Sequence, residues 1–313
     1  MDDVSLGVRR SFGIGARELA AASCATLDHA IGDEAELWIA RPREEAIAIG
    51  AFARADGIEG AAIVRRGSGG PAVRAGEGTL WIALLLPTVS ALVSCDEPRI
   101  VNRYVRPLLR ALTRCGALAH FFGRDWISVK HRPAAWTGFA HDRASGRTTF
   151  EAFVACDTRF DVAPRASFMG KEPGTLASIL EVPFDIARLA DAIVASYSDA
   201  YGRAAIDRGP VPSFAISPDD PRADPPWLAT VDEVIGPIGA GPDARGTFRV
   251  GGDLLVSRDA LSSLESSLGA TGDEDLASLI DASLAAPHTA IDGVRSLDSI
   301  REVILAARSQ KRA

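Results

Sequence analysis

The chain contains the string Arg65-Arg66-Gly67-Ser68-Gly69-Gly70-Pro71-Ala72-Val73, in which two adjacent arginines precede a glycine-rich loop. Glycine has no side chain that obstructs an approach, so backbone N–H groups of such a loop can reach phosphate or carboxylate oxygens. The two guanidinium groups add permanently charged, planar donors that suit the same oxygens. The string therefore predicts a loop that binds an anion.

Apolar runs lie on both sides of this loop. One run ends at Val64, and the other is Leu80–Leu86. Short apolar runs bounded by turn residues are typical of buried strands, so the pattern predicts a strand, the loop and a second strand. Neither of the common phosphate-binding motifs, GxxxxGK[ST] or GxGxxG opening a helix, is a better match for the string.

The RRGSGGPAV string resembles the RRxSGGGAV loop of the lipoate-protein ligase A family, within the biotin and lipoate ligase superfamily. Further along, Gly123–Val129 resembles the family's GRND segment and the strand after it, and Trp136–Arg143 resembles its GKKIxGxAxR segment. Upstream, Leu37–Pro42 and Ala46–Gly50 are similar to the first strand pair of those enzymes. The resemblance covers about residues 15 to 205. It implies an α+β fold with mixed or antiparallel sheets flanked by helices.

The resemblance also implies an activity. Lipoate or octanoate would be activated by ATP with magnesium, and the acyl group would pass to a lysine of an acceptor lipoyl domain or H-protein-like carrier. Asp125 would hold the magnesium or the nucleotide. The residues expected to bind substrate and adenylate are Arg65, Arg66, Ser68, Gly69, Gly70, Ala72, Val73, Asp125 and Gly138.

The sequence departs from the family pattern at three functional positions, one of which is Ala75, where many members have a histidine. Ala135 stands where the ligases have a lysine, whose ammonium stabilises the negative charge that grows during adenylation. Pro71 replaces the third glycine of the loop and has no N–H to donate. We predict that Lys130 supplies the missing catalytic charge; the alternative is a lysine that caps an exposed strand end.

Three functions remain open from the residues. The protein is an ATP-dependent ligase, an ATP-independent acyltransferase, or a catalytically inactive relative that binds an acyl or adenylate-type ligand. Which acid it binds is equally open, because the length of an acyl tunnel depends on packing.

Composition and charge exclude several other classes of protein. Of the 313 residues, 47% are hydrophobic and 24% charged, which is typical of a globular chain. The net charge of −7 argues against a general nucleic-acid binder. The acidic start Met1-Asp2-Asp3 and the lack of a run long enough to span a membrane predict a cytoplasmic protein without a membrane partner.

A predicted helix between Asp96 and Gly116 carries a stripe of arginines at spacings of three or four residues. They are Arg99, Arg103, Arg106, Arg110 and Arg114. The stripe is either a solvated helix face or a dock for an acidic acceptor domain.

The prolines and aspartates of residues 209–226 predict an extended linker. We therefore expect a ligase-like catalytic domain over residues 1–208 and an accessory domain over residues 227–313. In the second unit, Gly251-Gly252-Asp253-Leu254-Leu255 lies between predicted strands and helices, in an order that resembles the small accessory domain of lipoate ligases. An unrelated α+β appendage is the alternative.

Overall fold

A computed structural model describes residues 5–29, 31–59, 62–163, 165–217 and 220–312. The elements up to residue 207 are β1 Leu6–Ile14, α1 Ala16–Ala25, β2 Ala35–Pro42, β3 Ala46–Ile49, β4 Ala62–Arg65, β5 Val73–Ala75, β6 Thr79–Leu86, α2 Ile100–Arg114, β7 Ala119–Phe121, β8 Trp126–Val129, β9 Arg132–His141, β10 Thr148–Ala155, α3 Leu176–Leu180, α4 Ile186–Tyr201 and β11 Ala205–Asp207. The α+β fold predicted from the sequence is confirmed.

Eight strands form the main sheet, in the order β11-β1-β2-β6-β10-β9-β8-β7. The pairs β11–β1 and β1–β2 are parallel, and the other neighbours are antiparallel. Every residue of β6 and β10 is buried, and burial on both faces explains why β6 reads as an apolar run over Leu80–Leu86 rather than as an alternating strand. A small sheet, β4-β3-β5, holds the predicted anion loop between β4 and β5.

Helices α2 and α4 pack against each other, and the Tyr197 hydroxyl donates a hydrogen bond to the Tyr104 carbonyl at 2.8 Å. Asp185 caps α4 by accepting from the Arg188 N–H, and Gly202 ends the helix in the left-handed region. Both can be predicted from the sequence, because aspartate favours a helix start and glycine a helix end. Helix α1 ends at Ala25, where the Thr26 hydroxyl donates a hydrogen bond to the Ser23 carbonyl.

The later part of the chain contains β12 Ala229–Asp232, β13 Pro237–Pro242, β14 Phe248–Gly252, β15 Leu255–Val256, α5 Arg258–Leu268, α6 Leu276–Leu284, β16 Ile291–Asp292 and α7 Asp298–Arg312. Strand β13 begins at Pro237, directly after Gly236, which turns the chain with a φ of +146°. Within the described residues of 209–226 there is no helix or strand.

The two parts of the chain share buried surface. One hydrophobic cluster contains most of the main sheet and α2 and α4, but it also includes Ile235, Leu255 and Ala290 from the later part. A second cluster lies under β13, β14 and helices α5 to α7. No helix in the described ranges has the length and apolarity needed to cross a membrane.

Replacing Leu84 by alanine should lower the free energy of unfolding by about 3 kcal/mol, because it opens a cavity at a fully buried position of β6 between β2 and β10. Leu118→Ala is the matched control, since this leucine is 62% exposed and its truncation should change stability by no more than about 0.5 kcal/mol. Urea denaturation measures both. Equal losses would contradict the assignment of β6 to the centre of the sheet.

Candidate functional site

The loop between β4 and β5 is wrapped around the side chain of Arg66, which is fully buried. Its Nη1 donates to the Ala48 carbonyl at 2.6 Å, and its Nη2 donates to the carbonyls of Gly69 and Pro71 at 2.7 and 2.8 Å. Its Nε donates to the Ser68 hydroxyl at 3.0 Å. The guanidinium therefore holds the loop from inside.

A buried glutamate on β10 balances the charge of Arg66. The Glu151 carboxylate lies 3.9 Å from the Arg66 Nε and accepts hydrogen bonds from Ser68, from Ser23 at 2.7 Å and from the Trp81 indole at 2.5 Å. Burial lowers the pKa of Arg66 to about 10, and the charge of Glu151 opposes that shift. The arginine thus stays charged at neutral pH inside a satisfied network.

The indole of Trp136, on β9, fills the space beneath the loop. Its ring lies 4.2 Å from the Arg66 guanidinium carbon and is fully buried. A Cβ added at Gly70 would come within 2.7 Å of this ring, and one at Gly138 within 2.4 Å. These two glycines are required here because the indole occupies the room that side chains would need.

Arg65 also has its partners within the protein. Its Nη1 donates to the carbonyls of Gly50, Ala51 and Ala53, the last at 2.6 Å, and its Nη2 lies 3.9 Å from the Asp224 carboxylate. Both arginines that the sequence assigns to ligand binding therefore bind backbone carbonyls. In this conformation the pair stabilises the loop rather than clamping an external anion.

A segment from the later part of the chain occupies the position predicted for phosphate. This segment, Gly251–Leu255, links β14 to β15, and its Leu254 carbonyl accepts the N–H of Gly70 at 2.8 Å. The same carbonyl would lie 2.0 Å from a Cβ on Gly69, so only glycine permits this approach. The Gly69 N–H is bound by the Phe139 carbonyl at 3.3 Å.

Further contacts hold the Gly251–Leu255 segment in place. The Gly252 N–H donates to the Phe52 carbonyl and the Asp253 N–H to the Pro237 carbonyl, each at 2.8 Å. The Leu255 side chain is buried against β9, where its Cδ2 would be 3.0 Å from a Cβ on Gly138. The segment therefore covers the side of the loop from which a ligand would arrive. We call this contact between the Gly251–Leu255 segment and the loop the closure.

Charged side chains meet beside this closure. The Asp125 carboxylate accepts a hydrogen bond from Nη2 of Arg165, which also donates to the Ile235 carbonyl at 2.9 Å. Burial raises the pKa of Asp253 to about 7, although the charges of Arg165 and Arg66 oppose the shift. Among the described residues, Nε and Nη1 of Arg165 have no hydrogen-bond partner.

The other predicted site residues lie apart from any open cavity at the loop. Ala72 and Val73 lead into β5, where Val73 pairs with Ala48. Ala135 is fully buried in β9 between Ile127 and Val154. Lys130 lies in the β8–β9 turn with a φ of 45°, and its ammonium donates to the carbonyl of Ile179 in α3. The structure therefore does not bring Lys130 to the loop.

Sequence reasoning missed Glu151, Arg165 and the closing role of Asp253 and Leu254. A single glutamate within the apolar strand Thr148–Ala155 is a usable signal for a buried ion pair. Nothing in the sequence near Leu254 indicates its distant partner. In the described parts of the chain, no cluster of three or more His, Cys, Asp or Glu side chains is placed to hold a metal ion.

Known structures share this fold. P. falciparum LipL1 in complex with lipoate matches with a TM-score of 0.65 and 13% sequence identity. The match covers 96% of this chain and 99% of that one. A bipartite lipoate protein ligase from Thermoplasma acidophilum matches with a TM-score of 0.53 and 14% sequence identity. The match covers 66% of this chain and 86% of that one. Lipoate-protein ligase A bound with ATP matches with a TM-score of 0.53 and 15% sequence identity. The match covers 66% of this chain and 88% of that one.

No protein-family model and no curated protein sequence matches this chain. These three structural matches are of low sequence identity, so they show that the chain has the fold of lipoate-protein ligases. The activity of those proteins does not follow from the fold alone.

Arg66→Ala should lower the free energy of unfolding by about 3 kcal/mol or more, because it leaves the Glu151 carboxylate buried and three carbonyls without a donor. Chemical denaturation measures the loss. Arg43→Ala is the control, since the Arg43 side chain is 60% exposed. A near-neutral Arg66→Ala would show that this side chain is free to face a ligand.

Asp253→Asn should stabilise the protein more at pH 8 than at pH 5. The carboxyl has an ordinary pKa of 3.8 and a folded pKa of about 7, so the folded state binds its proton more tightly than the unfolded chain does. Stability is then lost as the pH rises between these values, and asparagine removes that loss. Melting temperatures from pH 5 to 8 test this, with the exposed Asp33→Asn as control. A difference independent of pH would refute it.

Proposed function

We propose that this protein is a lipoate-ligase-like binding protein that does not catalyse ATP-dependent acyl transfer. One observation carries the proposal: the Leu254 carbonyl accepts a hydrogen bond from the Gly70 N–H, at the position expected for phosphate. The departure at Ala135 agrees with it, because the charge that adenylation requires is absent from a fully buried position. We also propose that the protein is cytoplasmic, as the sequence predicts.

The residues present do not fit ATP and magnesium. Pro71 has no N–H, the N–H groups of Gly69 and Gly70 are bound by carbonyls, and the Asp125 carboxylate is bound by Arg165. A nucleotide needs these groups free to balance its phosphate charge. We therefore assign no step to ATP or magnesium, in contrast to what the sequence resemblance implies.

We propose further that the protein recognises an acyl-carrying lipoyl domain as a whole rather than a free acid. Two structures with this fold support the choice of partner class. One is a ligase studied together with its E2 lipoyl domain, and another is bound to lipoate. In this chain the aromatic side chains of Trp136 and Phe153 fill the space beside Arg66 and the loop, which leaves the protein surface to make the contacts.

A second candidate is a latent ligase that opens when the Gly251–Leu255 segment leaves. It is favoured by the incomplete hydrogen bonding of Arg165, because unsatisfied buried groups weaken an interface. An acyltransferase that works through a cysteine has less support. Burial raises the pKa of the Cys156 thiol and keeps it protonated.

Incubation with octanoate or lipoate, Mg-ATP and an acceptor lipoyl domain should leave the mass of the acceptor unchanged. Mass spectrometry at pH 6 and pH 8 provides the measurement, and an active lipoate ligase with the same acceptor provides the positive control. The two pH values lie on either side of the pKa of Asp253. They therefore compare the protein with a neutral Asp253 carboxyl to the protein with an ionised one.

Each outcome of this assay separates the candidates. An ATP-dependent mass gain at both pH values would overturn the proposal. A gain at pH 8 that Asp253→Asn suppresses would establish the latent ligase instead. A gain from an acylated carrier without ATP would establish an acyltransferase.

A further inference from the structure

The two edges of the main sheet differ in their protection against pairing with another strand. At one edge, β11 ends at Asp207 and is followed by Arg208-Gly209-Pro210, so that charges and a proline flank it. At the other edge, residues 117–122, which contain β7, include no aspartate, glutamate, lysine, arginine or proline. Proteins commonly protect exposed edges with such residues, so the unprotected edge at β7 indicates a site of strand pairing.

The backbone of β7 is paired on one side only. Ala119–Phe121 pairs with β8, and none of the described strands lies along its other edge. Both ends of β7 are open, because a Cβ added at Gly116 or at Gly123 would meet no heavy atom of the described chain within 4 Å apart from its neighbours in sequence. An incoming strand can therefore reach the N–H and C=O groups of this edge.

The side chains along this edge form an exposed face. Leu118, His120 and Phe122 alternate along the chain, so they point to the same side. Leu118 is 62% exposed and Phe122 58% exposed, and the ring centres of His120 and Phe122 are 6.0 Å apart in a stacked arrangement. Ala119 and Phe121, between them, pack against the core. Large apolar side chains grouped on one exposed face are typical of an interaction surface.

The spacing of these side chains is self-complementary. When two β7 strands pair antiparallel about a twofold axis at His120, Leu118 of each copy lies opposite Phe122 of the other. Both of these cross-strand pairs are apolar, and such pairs stabilise adjacent strands. A contact between identical surfaces requires this symmetry, because each residue must fit its counterpart in both directions.

Positive charge lies at the Phe122 end of the strand. The Lys171 ammonium is 5.6 Å from the centre of the Phe122 ring, and Arg124 contacts the sulfur of Met169. Neither cation forms a salt bridge within the part of the chain that the structure describes. A twofold axis at His120 separates the two Phe122 ends by about 14 Å, so their like charges are largely screened at physiological salt.

A negative charge lies toward the Leu118 end. Leu118 lies beside the β8–β9 turn, where the Lys130 ammonium donates to the Ile179 carbonyl at 3.1 Å. Two residues after Ile179, Glu181 is exposed and forms no salt bridge with any described residue. Antiparallel pairing brings unlike ends of the two copies together, so Glu181 of one copy and Lys171 of the other lie toward the same end of the interface. Their charges are complementary.

We propose that β7 is a self-association site, at which two copies of this chain pair their β7 strands antiparallel about His120 and join their main sheets into one. The closure plays no part in this contact, so the inference does not depend on the proposed function. A strand from a different protein could also pair with the open backbone. The symmetric spacing of Leu118 and Phe122 favours a second copy over such a strand.

The test is analytical ultracentrifugation of the full-length protein from about 5 to about 200 µM. A contact of one short strand and a few side chains is smaller than a standard interface, so we expect a weak dimer that dissociates within this range. Phe122→Asp places a carboxylate opposite Leu118 and should raise the dissociation constant by about tenfold or more. Phe12→Asp is the matched control, because Phe12 is 49% exposed on β1, which is paired on both sides, and this variant should dimerise as the wild type does.

A charge exchange tests the arrangement of the two copies. Lys171→Glu should weaken the dimer, and adding Glu181→Lys to it should restore wild-type association. Circular dichroism shows that each variant is folded. In the wild type, the amides of Ala119–Phe121 should exchange more slowly with solvent as the protein concentration rises.

A chain that remains monomeric at about 200 µM would overturn the proposal. A dimer that Phe122→Asp leaves intact would also overturn it, because the two copies would then meet elsewhere. Failure of Glu181→Lys to rescue Lys171→Glu would contradict the antiparallel arrangement. Protection of the Ala119–Phe121 amides only in the presence of a different protein would assign the edge to that protein instead.

Discussion

The buried guanidinium of Arg66 is the constraint on which the rest of the site depends. A charge without solvent contact must be paired, and here Glu151 and three backbone carbonyls pair it. Those carbonyls belong to the loop itself and to β3, so satisfying the charge also fixes the path of the loop. That path turns the Gly70 N–H toward the later part of the chain, where the Leu254 carbonyl accepts it.

The closure gives a consistent picture of a retained fold with altered chemistry. The Gly70 N–H, which was expected to bind phosphate, instead joins the two parts of the chain through the Leu254 carbonyl. Arg165 binds the Asp125 carboxylate and also donates to the Ile235 carbonyl of the later part.

Much of the fold could be predicted from the sequence because its signals are local. The loop string, the Asp185 cap and the Gly202 stop each act within a few residues. The state of the site could not be predicted in this way. Two arginines before glycines read the same whether they face solvent or the interior, and the Leu254 contact joins residues that are remote in sequence. Only Glu151, alone in an apolar strand, offered a local sign of the buried charge.

Amide hydrogen exchange at Gly70 tests the closure most directly, by NMR of protein labelled with ¹⁵N-glycine. Our account predicts a slowly exchanging Gly70 amide, because the Leu254 carbonyl accepts it away from solvent. Addition of octanoate and Mg-ATP should leave its exchange rate unchanged. A fast-exchanging amide that becomes protected only when the nucleotide and acid are added would contradict the account.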